Sequence, residues 1–142
     1  MNYLGGKHRQ SKVIAEIILK NVKPGGTFFD PFCGAMGVAA KVCIGLINQN
    51  INQRVVLSDI HKPLINMWLR LLNGWVPPDV VTEDQYNILK SIQDPHDPMT
   101  AYAGFCMSFG GKYFGGYARP SSDRGDRSLQ NKRNTMRKVE AI

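Results

Sequence analysis

Two short apolar runs, each ending on an acid and each followed by a helical stretch, constrain the fold of this chain more than any other feature. Thr27-Phe28-Phe29 runs into Asp30-Pro31, and Val55-Val56-Leu57-Ser58 runs into Asp59. Runs this short, rich in β-branched and aromatic residues and bounded by turn formers, read as strands, the first of them buried. Ahead of the first lies a helix over Lys12 to Asn21, with Ser11 as its N-cap, Val13, Ile14, Ile17 and Ile18 on one face, and Pro24-Gly25-Gly26 as its stop. Residues 34–40 are small and apolar, a tight turn opening a helix that reaches Ile47, and Pro63 opens another that reaches Leu72. Helix, strand, helix, strand, helix is the grammar of an α/β domain with a parallel sheet.

The chain then changes character. After the break at Gly74-Trp75-Val76-Pro77-Pro78, Thr82 and Gln85 form a capping box that predicts a helix from Glu83 to about Ile92. Asp97 caps a further helix from Pro98 to about Met107. From Phe109 to Arg119 four glycines, three aromatics (Tyr113, Phe114 and Tyr117) besides Phe109, and two cations share one stretch, which reads as a loop or irregular hairpin. A polar, turn-rich segment follows, and Leu129 to Val139 reads as a basic helix.

With 142 residues, 43% apolar and 20% charged, the composition is that of one ordinary globular domain. No apolar run approaches the ~18–20 residues of a membrane span, and the N-terminus has no signal-peptide pattern, so a cytosolic location is expected. Cys33, Cys43 and Cys106 form no CxxC or CxxH pair, and His8, His61 and His96 lie far apart. No metal site is expected, and packing or surface roles suffice for all six. Five of the seven net positive charges fall in residues 112–142, where eight basic side chains face three acidic ones. A basic segment fits a polyanion such as nucleic acid, or a solvated tail.

Three groups of residues carry chemistry. At Asp30-Pro31-Phe32-Cys33-Gly34 a strand gives way to a helix, the place where α/β sheets bind ligands. The segment has neither the phosphate-loop nor the Gly-x-Gly-x-x-Gly spacing, and an acid at Asp30 suits a cationic ligand better than a phosphate. It can also be only a tight turn. Asp59, at the end of the next strand, is placed to accept from a ribose diol, or to serve as a helix cap or surface carboxylate. Tyr3-Leu4-Gly5-Gly6-Lys7 is a glycine turn that can bring an ammonium to a carboxylate or leave it solvated.

Taken together, Tyr-x-Gly-Gly-Lys near the start, Asp-Pro-Phe-Cys-Gly after one strand and Ser-Asp-Ile after the next resemble the Dam-like DNA adenine methyltransferases. Gly74 to Pro78 continues the likeness, and Cys106 to Arg119 resembles members found in phages. The resemblance implies a partial Rossmann-like, S-adenosylmethionine-dependent methyltransferase fold with parallel strands. Residues 1–75 would be the cofactor-binding portion, and residues 76–142 a helical and basic loop segment like a target-recognition region. Tyr3, Lys7, Asp30, Phe32, Gly34, Asp59 and Ile60 would bind the cofactor, with Lys7 near the methionine carboxylate and Asp59 on the ribose. Lys112, Arg119 and Arg124 would contact phosphates of double-stranded DNA, and Tyr113 and Tyr117 would stack or wedge. Packing of the loop on the core is the other reading of those aromatics, and the favoured one for Phe114.

The family's Asp-Pro-Pro-Tyr tetrapeptide does not occur in the sequence; Pro77-Pro78-Asp79 has the wrong order. Two expectations follow. One is a cofactor-binding portion that is inactive alone and is completed by a C-terminal half. The other is a truncated, repurposed protein that acts by binding DNA or another protein. Either would expose a sheet edge or apolar face and so favour a homo-oligomer or a partner.

Overall fold

A computed structural model describes residues 1, 3–120 and 127–142. Helix α1 (Ser11–Asn21) leads into β1 (Thr27–Asp30), α2 (Gly37–Asn48), β2 (Arg54–Leu57) and α3 (Lys62–Leu72). Then come α4 (Glu83–Ile92), the short α5 (Pro98–Ala101), which continues as a π-helical turn over Tyr102–Cys106, a 3-10 turn at Phe109–Gly111, and α6 (Arg127–Ala141).

The two strands pair in parallel, Thr27 opposite Arg54 and Asp30 opposite Leu57, as the alternation of elements predicts. The ladder runs past both strand ends: Ser58 N–H donates to Asp30 O (2.9 Å) and Cys33 N–H to Ser58 O (2.9 Å). These bonds hold the two post-strand turns, and hence Asp30 and Asp59, side by side. Among the described residues β1 pairs only with β2.

Side chains alternate across a sheet. Phe28 and Val55 pack under α1 and α2, with Ala15, Val42 and Leu46. Phe29 points the other way and is 55% exposed, so the first strand is half-covered rather than buried. The face of α1 also differs from its expected assignment. Ala15, Ile18 and Leu19 pack inward, whereas Val13 and Ile17 are exposed, because α1 is rotated to nest against α2 at Gly45, where a Cβ would collide with Leu19. Ser11 is a buried first helical residue, not the cap: its hydroxyl donates to His8 O (2.8 Å), while Gln10 occupies the cap position without a side-chain bond.

The larger core is shared by both portions of the chain. Trp68, Leu64 and Met67 of α3 meet Tyr86 of α4 and the helix of residues 98–106. Local signals set these later helices as expected. Thr82 and Gln85 close their capping box, and Asp97 accepts from Met99 N–H (2.9 Å). The π-turn has a packing reason in Gly104, where any Cβ would strike the rings of Tyr113 and Phe114. Residues 107–118 close on themselves, with Phe109 N–H donating to Gly116 O (2.9 Å) and Ala118 N–H to Met107 O (2.8 Å). No helix of the described residues is long and apolar enough to cross a membrane.

Candidate functional site

The carboxyl ends of the strands open into a cleft of about 700 Å³, lined by Tyr3, Lys7, Asp30, Phe32 and Gly34 together with residues of α2 and α6. That volume suits a nucleoside-sized ligand. A smaller hollow of about 400 Å³, lined by Ile18, Thr27 and Gln53, lies at the other end of β1. Ligands of open α/β sheets sit outside the carboxyl ends of the strands, which singles out the larger cleft.

Gly34 is the hinge of the cleft wall. Its φ of +46° is one that side chains rarely adopt, and a Cβ there would lie 3.3 Å from the Tyr3 ring. Its N–H donates to Asp59 Oδ2 (3.0 Å), and its carbonyl accepts from the Trp68 indole N–H (2.9 Å). Backbone and ring thus approach closely only because no side chain intervenes. Tyr3 stacks on Phe105 at 4.9 Å, and Leu4 N–H donates to Gly111 O (3.0 Å), which fixes the N-terminal segment as the facing wall.

Of the expected cofactor residues, five line this cleft and two do not. Asp59 stands behind Gly34, its Oδ1 accepting from His61 N–H (3.0 Å) while Oδ2 serves Gly34. It is thus neither a helix cap nor a free surface carboxylate; it ties the two post-strand turns together. The cap of α3 is His61, whose Nδ1 accepts from Leu64 N–H (3.2 Å). Ile60 is 96% exposed beside Asp59, and Phe32 is 84% exposed in the cleft.

The electrostatics are one-sided. Among the described residues that line the cleft, Asp30, whose Oδ1 accepts from Phe32 N–H (3.1 Å), is the one acid, against Lys7, Lys41, Arg137 and Lys138. Lys7 Nζ lies 3.3 Å from Gly5 O, and Lys138 Nζ donates to Ala35 O (2.5 Å). Burial lowers the pKa of Lys138. Burial, with the nearby Asp30 and Asp59 carboxylates, pushes the Cys33 thiol up to about 12. At neutral pH it is a protonated packing group rather than a nucleophile.

The basic second portion is arranged differently. Tyr113 lies edge-on to His61 at 4.5 Å and against Phe105 at 4.8 Å. Tyr117 packs on Tyr86 at 5.4 Å and donates to Val81 O (2.7 Å), and Phe114 is buried. These rings face the protein. Lys112 is exposed; Arg119 is exposed and makes a two-pronged bond to Glu83 (2.6 and 3.0 Å). Arg124 lies outside the described residues. No cluster of metal-ligating side chains occurs among the described residues.

A family model, D12 class N6 adenine-specific DNA methyltransferase, matches residues 3–137. The chain belongs to this family. No curated protein and no solved structure was found to match it. A function related to DNA adenine methylation follows from membership, with DNA as the implied substrate and S-adenosylmethionine the general methyl donor of D12 enzymes.

The sequence reading missed the contribution of α6. Asn134, Arg137 and Lys138 line the cleft, and so does Lys41 of α2. Their spacing along α6, three and then one residue apart, places them on one helical face. Nothing local indicates that this face folds back across 103 residues to Ala35.

Proposed function

We propose that the chain is the S-adenosylmethionine-binding portion of a Dam-like, phage-type adenine methyltransferase, with the cofactor in the cleft at the carboxyl ends of β1 and β2. The observation that carries this reading is the donor set gathered at that cleft around Gly34. Asp30 offers a carboxylate to a cationic centre, Lys7 an ammonium to the methionine carboxylate, and Tyr3 and Phe32 apolar surface to a ring, with Ile60 exposed next to Asp59 for the same ring. Asp59 keeps a second lone pair on each oxygen beyond its two backbone bonds, enough to accept from a ribose diol. The cofactor supplies an electrophilic methyl group on a sulfonium. The chain's residues hold it, orient it and exclude water from it.

In this reading residues 1–75 bind the cofactor, and residues 76–142 contact DNA, with Lys112, Arg119 and Arg124 on phosphates and Tyr113 and Tyr117 beside the bases. The Asp-Pro-Pro-Tyr tetrapeptide that would hold the flipped adenine is not among these 142 residues. Methyl transfer is therefore expected only when that motif is supplied by another polypeptide segment.

Calorimetric titration of S-adenosylmethionine into the purified chain tests the proposal. Saturable binding that Asp30→Asn weakens is expected. A folded protein that binds no cofactor overturns it, and DNA binding kept under those conditions would identify a repurposed DNA-binding protein. At the second acid Asp59→Asn keeps one of the two backbone acceptors, whereas removing the carboxylate altogether frees both Gly34 and His61 N–H groups.

A further inference from the structure

The cleft has more positive charge than Lys7 alone explains, and the additional charge comes partly from α6. This helix is pinned on its far side. Asn131 Nδ2 donates to Cys106 O (2.6 Å), Lys132 pairs with Asp79 (2.5 Å), and Thr135 is fully buried. With that face held, Asn134, Arg137 and Lys138 turn toward the cleft. The four cations there are not equivalent. Lys138 is spent on Ala35 O, and its burial disfavours the charged form. Lys7 bends back toward Gly5 O in its own turn. Lys41 is a point charge on the exposed side of α2. Arg137 is exposed, lines the cleft, and makes no ion pair among the described residues.

A planar guanidinium with a fork of N–H donors matches a carboxylate through two parallel bonds, which an ammonium cannot do. Asp30 supplies the opposite charge in the same cleft. An acid and a forked cation on facing elements form a receptor for a zwitterion, an amino-acid group with its ammonium and carboxylate both engaged. We infer that Arg137 of α6 is a specificity-determining residue that binds the carboxylate of the amino-acid end of the ligand and selects against ligands that lack it. The inference rests on the reading of the cleft as an S-adenosylmethionine site. It adds that the site is incomplete without the helix following the recognition-like segment.

The test compares S-adenosylmethionine with decarboxylated S-adenosylmethionine, by calorimetry on the full chain. The two differ only in the carboxylate. Wild-type protein is expected to prefer the complete cofactor by about tenfold or more, as loss of a charge-assisted bond implies. Arg137→Ala should bind S-adenosylmethionine about tenfold more weakly, bind the decarboxylated analogue as before, and so lose most of the preference, keeping only what the Lys7 ammonium supplies. Arg137→Lys should recover it only in part, and Lys41→Ala should keep it. A wild-type preference that survives undiminished in Arg137→Ala, whether or not Lys7→Ala reduces it, overturns the inference while the cofactor reading stands. A wild-type protein that binds neither molecule overturns both. Arg137 is exposed, so its variants carry no packing penalty that would obscure the result.

Discussion

The cleft around Gly34 and the knot of residues 102–118 are built from similar materials, glycines and aromatics beside a turn, and they end up as opposites. In the knot every ring but that of Phe109, which is exposed, packs against another ring, and the polar groups join in sequence. Gly116 N–H donates to the Tyr86 hydroxyl (3.1 Å), Tyr86 donates to Ser108 Oγ (2.8 Å), and Ser108 donates to Gly104 O (2.6 Å). The direction of the middle bond is settled by its neighbours, because a carbonyl can only accept. In the cleft Phe32 stands open, as Ile60 does beside Asp59, and among the described lining residues cations outnumber acids. Saturation marks a structural region, and surplus donors with bare apolar surface mark a binding one.

The comparison can be broken most severely at a residue that belongs to the core and also holds the cleft wall. Trp68 is 1% exposed in the core and bonds the Gly34 carbonyl. Trp68→Ala is expected to cost about 3–5 kcal/mol in chemical denaturation and to abolish ligand binding in the cleft. Trp68→Phe should keep most of the stability yet still weaken ligand binding, since packing is retained and the indole bond is lost. Gly104→Ala drives a methyl into two rings and should cost about 1–3 kcal/mol. Tyr86→Phe breaks the hydroxyl sequence at its centre and should cost about 1–2 kcal/mol. Both substitutions should leave cofactor affinity measured by calorimetry unchanged well below the melting temperature; a loss there would mean that the two regions are one cooperative unit.

A subtler effect is expected from pH. Burial lowers the pKa of His61 from its ordinary value of 6.5, against the opposing pull of Asp59. The folded state therefore prefers the neutral ring, whose Nδ1 caps α3. This contribution is present above about pH 6.5 and is lost as the pH falls through the lower folded value. Equilibrium unfolding from pH 7.5 to 5 should show it, and His61→Asn, which keeps a capping acceptor, should flatten that part of the profile. The smallest effect is expected at Arg119, whose replacement by Ala should leave stability unchanged. If the segment contacts DNA, the same change should lower the slope of log affinity against log salt by about one.

What could be read ahead of the structure was local. The cap at Thr82, the cap at Asp97 and the two acid-ended strands each depend on residues within a few positions, and each stands where expected. Ser11 misled because its hydroxyl can accept or donate, and the turn at His8 decided which. Phe29 looked buried from its apolarity, but the covering helices lie on one side only. The packing of Tyr113 was not legible, because it depends on Gly104, 9 positions earlier, whose missing side chain makes room for Tyr113 and Phe114. Asn134, Arg137 and Lys138 were illegible as site residues because their position depends on the whole intervening chain.

That last dependence sets an order of events. The bond from Lys138 to Ala35 closes a loop of roughly a hundred residues, among the longest closures the fold makes. Contacts so distant in sequence are entropically late, so the strands, α3 and its buried Trp68 should consolidate first. In a refolding experiment indole fluorescence should therefore recover before the protein regains affinity for its ligand. A ligand that grips α6 then acts as a clasp on the final step, holding α6 against the first post-strand turn with a strength that grows as the logarithm of its concentration.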